Sequence, residues 1–368
     1  MMRPRSRCCP HADCPSQVPG AHPRVVRHAS FMTRRGRRLR FLCRICGRTF
    51  AATLGTPYYR LRHSRETFDR TMRLGVEGMH QAGTARVQRV RPSTVSRWKE
   101  RAALHARRYE QEFLVVEDPV EVQLDELKAF GAGERDRHWV YNGIEVSSRA
   151  WLGSKVGPRT MRTTRVFVNE VRKRLKLRPM DPFLATTDEF KYYASALRRA
   201  FGPACVHVQV DNRYRRGRIV RTSSRMVHGA AWALERAQRR SEDSRRPNTS
   251  YEERLNLHRR RTCSYLQRRT SGPMRKPERL EEALAINRLH YNFIKPHSAL
   301  KFGELTRTPA MQAGAAKRPL SFREIFSWVP KPEPARKPKR PLEPGVWPRM
   351  RTPSHPQLAQ HGTHTVNA

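Results

Sequence analysis

The chain has 368 residues, with 75 Lys and Arg against 32 Asp and Glu, a formal net charge of +43 and 37% apolar residues. That length suggests two or three folded units, and the charge points to a strongly negative partner, of which nucleic acid is the commonest. The apolar run that a spanning helix needs is absent, so no spanning helix is expected, and no stretch pairs a basic face with a clean apolar one, which disfavours membrane-surface binding.

The N-terminus, Met1 to Arg7, is basic but leads into cysteines rather than an apolar signal core, so a cytoplasmic location is expected. Cysteines in a reducing compartment serve as metal ligands or free thiols, not as a disulfide frame. Cys9 and Cys14 form a C-x4-C pair, and Cys43-Arg44-Ile45-Cys46 a C-x2-C knuckle followed by Gly47, Thr49 and Phe50. Two thiol pairs at this separation suit a closed, tetrahedral Zn²⁺ site, whose binding supplies folding energy that a small core lacks. A zinc ribbon is therefore expected over 1–55, held by Cys9, Cys14, Cys43 and Cys46. Cys8 is an alternative to Cys9, and His11 or His28 to one of the thiols.

Residues 60–112 read as a helical module. Within it, Ser93 is placed to cap a helix on which Val95 and Trp98 fall on the inward face. Thr94, Ser96, Arg97 and Lys99 are then left outward. This is the pattern of a helix-turn-helix recognition helix, with polar tips for base edges and phosphates. A plain connecting helix is the alternative.

From residue 118 the pattern changes to strands. Val120-Glu121-Val122-Gln123-Leu124-Asp125 alternates, which puts Gln123 and Asp125 on one sheet face and the apolar side chains on the other. Two more strand-like runs follow, Trp139–Val146 and Ala150–Val156. A helical stretch over Thr164–Leu175 comes next, then a buried strand, Phe183–Asp188. Tyr192–Phe201 reads as a helix and Cys205–Val210 as another strand. Residues 216–247 read as a polar, Arg-rich break around Ala230–Leu234, and 248–300 return to helix. The expected fold class is α/β, an RNase H-like order over 118–312 in which the first and fourth strands are neighbours, bringing Asp125 near Asp188. Beyond Trp328 the chain is rich in Pro and Arg, and 331–368 is expected to be disordered.

Glu253, Asn256 and Arg260 stand at i, i+3 and i+7 on the late helix and share a face. Asp125, Asp188 and Glu253 are the candidate catalytic carboxylates. Hard divalent cations need oxygen ligands, and two Mg²⁺ (or Mn²⁺) ions held close together activate the attacking oxygen and stabilise the leaving oxygen of a phosphodiester. Asn256 and Arg260 are then placed to touch the substrate backbone. Glu126, Asp211 and Glu252 are rivals for the acidic positions. Glu252 lies about 100° round the helix from Glu253, and Asp211 is the first substitute for Asp188.

Several segments together resemble bacterial insertion-sequence transposases of the acidic-triad (DDE) class, closest to the family of insertion sequence one and its zinc-ribbon relatives. They are Cys43–Phe50, Thr94–Trp98, Leu124-Asp125-Glu126-Leu127, Thr187-Asp188, Asn248–Asn256, His290–Leu300 and Thr308-Pro309-Ala310. The resemblance covers roughly residues 9–312. It implies that Asp125, Asp188 and Glu253 bind the metals and that Arg260 is the basic residue seven positions after the Glu. It implies binding of double-stranded DNA at the element's terminal repeats, hydrolytic nicking there, and transfer of the freed 3′-OH into target DNA. A homo-oligomer on DNA is expected, since two ends must be held together. Lys128-Ala129-Phe130 after the first acid pair, the Arg-rich 212–225 segment and the Pro/Arg tail depart from the family pattern. The main alternative is a domesticated DNA-binding regulator that has lost catalysis. A structure-selective nuclease would share the acids but join no strands.

Overall fold

The structure is a computed structural model and describes residues 9–17, 24–33, 36–129, 138–178, 181–215, 218–241, 247–268, 270 and 272–332. The Pro- and Arg-rich tail expected over 331–368 lies outside the described residues from 333 on, as does Cys8.

Three short strands come first: β1 (Val25–Thr33), β2 (Gly36–Cys43) and β3 (Thr49–Ala51). They form an antiparallel sheet in that order, with a bulge between Arg27 and Ala29. Its core is minimal, Phe41 and Phe50 packed with Cys9, Cys14 and Cys43. So small a cluster buries too little apolar surface to stand alone.

Three helices follow: α1 (Arg65–Val76), α2 (Gln81–Val87) and α3 (Pro92–Phe113). Ser64 caps α1 by accepting from the Thr67 amide, and Phe68, Met72 and Val76 face inward at i, i+4 and i+8. α3 begins two residues earlier than the sequence suggested. Arg91 is its N-cap and Pro92 its first residue, so Ser93 lies inside the helix and makes no cap. Proline at this position costs no hydrogen bond because its missing N–H is one the helix start leaves unused. Val95, Trp98, Ala102 and Ala106 form the buried stripe of α3, and Trp98 packs on Phe68 at 5.6 Å between ring centroids.

The central sheet has six strands in the order β11-β10-β9-β5-β6-β7. β5 (Glu121–Ala129), β6 (His138–Glu145) and β7 (Trp151–Gly157) form an antiparallel meander. β9 (Phe183–Thr187) and β10 (Cys205–Arg215) run parallel to β5, and β11 (Arg218–His228) returns antiparallel along β10. A separate two-residue parallel pair joins β4 (Val116–Glu117) to β8 (Leu175–Lys176). Leu175, which the helical spacing assigned to the preceding helix, belongs to this pair. That helix, α4, covers Met161–Arg172. The Arg-rich break expected over 216–247 contains β11 and a helix, α6 (Ala231–Arg240). β11 is an edge strand with almost every described residue exposed, so it lacks the buried alternation that marks a half-buried strand in sequence.

α4 and α5 (Tyr192–Phe201) cover one sheet face, packing Phe167, Val168, Val171, Tyr193 and Leu197 with Val122, Leu124, Tyr141 and Ala185. Gly143 makes room for this layer, since a Cβ there would meet Leu124 Cδ2 at 2.5 Å. α7 (Ser250–Thr262) contacts β5 and β6. Leu255 packs there with Val140, Ile144 and Trp151, and with Leu280 and Leu284 of α8 (Pro277–Leu289). α8 runs on into a π turn, His290–Ile294. Asn292 in that turn both donates to and accepts from the Trp151 backbone, at 3.0 and 2.9 Å. After α9 (Pro309–Gln312), α10 (Phe322–Ser327) returns to the first helices, with Phe326 against Phe68 at 5.7 Å.

α3 and α8 are joined by buried charge. Arg288 donates to Glu110 through Nη2 at 2.7 Å and Nε at 2.9 Å, to Ser154 at 3.0 Å, and lies 3.5 Å from Glu170. Arg174 lies 3.2 Å from Glu170 and 3.8 Å from Glu110. A paired, multiply bonded arginine is tolerated inside where a lone one is not.

Candidate metal centres

Two groups among the described residues could hold a metal ion: Cys9, Cys14, Cys43 and Cys46, and Asp125, Glu126 and Asp188. In the first, Cys9 and Cys46 Sγ are 3.7 Å apart, as are Cys14 and Cys43 Sγ. Tetrahedral coordination with Zn–S bonds of 2.3 Å gives S···S edges of about 3.8 Å, so the four thiols fit a structural metal such as zinc. The knuckle turns at Gly47, which has φ of 68°, a conformation that costs glycine least. Against the upward push of partial burial, the Arg48 amide and side chain and the neighbouring thiols draw Cys46 down to about 6. His28 is exposed on β1, and His11 packs edge-on to Phe50 outside the thiol cluster.

The acidic group forms where β5 and β9 lie side by side. Leu124 pairs with Thr187, so Asp125 and Asp188, each the next residue, emerge together at the same end. Asp188 Oδ1 accepts from the Phe190 amide at 3.1 Å, which turns the chain into α5. Glu126 Oε1 accepts from Arg159 Nη2 at 2.6 Å and Nε at 2.8 Å, and Arg159 Nη2 lies 3.6 Å from Asp188 Oδ2. Burial, then the Asp188 charge, raises Asp125 to about 6 and Glu126 to about 8. Burial also raises Asp188. Three carboxyls that resist ionising together in one recess are a donor set for a hard cation, whose charge would relieve their repulsion.

α7 is fastened over this group from the same face of β5. Gln123 Oε1 accepts from the Tyr251 and Glu252 amides at 2.9 and 3.2 Å, satisfying N–H groups that a helix start leaves open. Two residues on, Asp125 Oδ2 accepts from Asn256 Nδ2 at 2.8 Å. Glu252 is fully buried and salt-bridged to Arg259 at 3.0 Å, both side chains at 0% exposure, which removes it as a rival ligand. Asp211 is also displaced from that role. It lies within the β10–β11 hairpin, 3.6 Å from Arg213.

Glu253 stands apart from the cluster in this structure. It is exposed, and its Oε1 accepts from Thr249 at 3.3 Å and Asn212 at 3.5 Å. It precedes Asn256 by one helical turn, so the same helix carries it along the rim of the site. Asn256, expected to touch substrate, is instead buried between Asp125 and Arg259. Arg260 is half-buried on the far side of Arg259 from Glu252 in sequence, and burial followed by the Arg268 charge lowers its pKa.

On α3, Arg97 is exposed and Thr94 and Ser96 are half-buried. Lys99, expected outward, is buried, with its Cε 3.5 Å from the position of a Cβ on Gly75. It adjoins Trp98 on a helix whose inward face is broad enough to take in both. Its aliphatic stem packs beside Gly75 of α1, and burial lowers its pKa.

Sequence reasoning weighed Glu126 only as a rival and passed over Arg159 and Tyr193. The Asp-Glu pair was a visible signal for Glu126. Arg159 arrives from the β7–α4 connection, and nothing local in sequence marks its destination.

Comparison of the chain with protein-family models and with curated proteins finds no match.

Proposed function

We propose that the chain is a DNA transposase of the acidic-triad class, built on an RNase H-like catalytic unit preceded by a zinc ribbon and a helix-turn-helix. The observation that carries this reading is the pairing of Leu124 with Thr187, which brings Asp125 and Asp188 together beneath α7 in a chain of net charge +43. The strand order, with β9 inserted beside β5, supports the RNase H-like assignment. Asp125 and Asp188, joined by Glu126 or Glu253, are the residues to hold two Mg²⁺ or Mn²⁺ ions. When bound, such ions supply the charge that polarises the attacking and leaving oxygens of a phosphodiester. Asn256 holds the Asp125 carboxylate in place, and the arginines around the site hold the DNA backbone. Arg97, Thr94 and Ser96 on the first turns of α3 are the base- and phosphate-facing side chains. Lys99 has no such part. The partners are double-stranded element ends and target DNA, engaged by a homo-oligomer in the cytoplasm.

One protein preparation tests this by gel shift and by Mg²⁺-dependent nicking of end DNA. Asp125→Ala and Glu253→Ala are expected to keep end binding and lose nicking. Unaltered nicking by either variant removes that residue from the metal site. A second reading, a DNA-binding regulator without catalysis, is favoured by the engagement of Glu253 with Thr249 and Asn212 outside the cluster. Binding without cleavage in Mg²⁺ or Mn²⁺ by the unmodified chain would select it.

A further inference from the structure

Arg159 occupies an unusual place for a cation. It follows β7 and Pro158, and Thr160 then caps α4. Its guanidinium lies 4.5 Å from the Trp139 ring centroid and 4.1 Å from that of Phe190. From this aromatic slot it reaches into the carboxylate group, bonding Glu126 Oε1 through two nitrogens and approaching Asp188 Oδ2. The cluster also contains oxygen atoms that the arginine does not satisfy. Glu126 Oε2 is buried without a hydrogen-bond partner, although its side chain is 1% exposed. The hydroxyl of Tyr193, a residue with 0% exposure, lies beside Glu126 as a neighbouring donor. Buried polar atoms ordinarily find partners, so an unsatisfied carboxylate oxygen among three gathered acids marks a place built for a further ligand.

We propose that Glu126 is a ligand of the divalent-metal site and that Arg159 is an internal counter-ion which leaves the carboxylates when metal enters. The inference rests on the two-metal reading above and specifies how that site is kept neutral beforehand. Three acids 4.8 Å or less apart repel one another, and a guanidinium, which stays charged at any working pH, offsets that repulsion. It also competes with the incoming cation for the same oxygens. The Trp139 and Phe190 faces give the displaced guanidinium a resting place that does not depend on the acids.

The test is Mn²⁺ binding by the full-length, zinc-loaded chain without DNA, read as free Mn²⁺ by electron paramagnetic resonance. Thermal melts of every variant check folding. Asp125→Asn is expected to abolish specific binding. Arg159→Gln is expected to tighten Mn²⁺ binding by roughly ten-fold or more, the effect of removing a unit positive charge a few ångströms from the ion. Glu126→Gln is expected to weaken it by a similar factor, and Arg159→Lys, which keeps the charge but loses the fork, to fall between wild type and Arg159→Gln. Unchanged or weaker binding by Arg159→Gln, with Asp125→Asn still abolishing it, overturns the counter-ion proposal and leaves the two-metal reading standing. Absence of Mn²⁺ binding from wild type and every variant overturns both. Tight binding by Glu126→Gln overturns its assignment as a ligand.

Discussion

Asn256 on α7 donates its side-chain amide to Asp125 Oδ2 at 2.8 Å while accepting from Arg259. This one amide links a carboxylate of the candidate site to a buried arginine of the helix above it. Asn256→Ala takes this donor from Asp125 and leaves Arg259 held by Glu252 alone. It is expected to lower stability by about 1–3 kcal/mol and, under the proposed function, to depress nicking more than end binding. Urea unfolding would show this, and a midpoint unchanged from wild type would mean the linkage contributes nothing.

The Glu252–Arg259 pair makes a double-substitution prediction. Both side chains are fully buried, and Arg259 also faces Trp151 at 5.4 Å. Removing either partner alone, by Glu252→Leu or Arg259→Met, leaves a lone buried charge and is expected to cost about 3–5 kcal/mol. The two changes together replace the pair by apolar volume, and the double variant is expected to recover most of that loss. Denaturant melts of the four proteins give the coupling. Additive losses would count against a mutually compensating pair.

Chelation should act on the N-terminal sheet. With a core of little more than Phe41, Phe50 and cysteines, β1 to β3 are expected to draw folding energy from a metal held by the four thiols. Purified protein is expected to carry about one zinc per chain. Its removal, or Cys43→Ser, is expected to open this region to protease while α3 and the central sheet keep their protection from hydrogen exchange. Equal protease resistance with and without zinc would show the strands fold unaided.

Two buried histidines, His105 and His207, and three half-buried ones, His258, His290 and His297, predict acid sensitivity. Burial lowers His105, His207, His290 and His297 to about 4 and His258 to about 3. A depressed folded-state pKa means that the neutral ring is the form the fold accepts. Its stabilising contribution is present above the unfolded value near 6.5 and is lost as pH falls toward 4, at up to about 1.4 kcal/mol per pH unit for each ring. His105 Nε2–H donates to the Ile325 carbonyl at 3.0 Å, a contact that the neutral ring supplies in that tautomer. Thermal midpoints should fall between pH 6.5 and 4.5, and His105→Gln should flatten that slope. A variant slope as steep as wild type would exclude His105 as a contributor.

Legibility in the sequence varied with how local the cause was. The four cysteines declared themselves because thiol spacing is itself the signal. Alternation along 120–125 correctly separated Gln123 and Asp125 from Val122 and Leu124, and the meeting of Asp125 with Asp188 followed from strand order. Lys99 reads as outward because it is charged, whereas its long aliphatic stem lets it lie buried beside Gly75 of another helix. Asn256 was assigned to substrate because the face it shares with Glu253 and Arg260 was visible and the carboxylate opposite it was not. β11 was missed because an edge strand with both faces in solvent has no apolar period. Arg159 was invisible for a further reason: its partners lie on β5 and after β9, and only folding brings that loop to them.

The buried Glu110–Arg288 bond has a geometric consequence for any DNA held by α3. Thr94 and Glu110 lie on one unbroken helix, about 24 Å apart at 1.5 Å per residue. A rod clamped at its far end to the helix beside the central sheet works as a ruler. Under the proposed function it keeps the gap between the sequence read and the phosphate cut constant, and inserting or deleting base pairs between those two points should abolish cutting while leaving recognition intact.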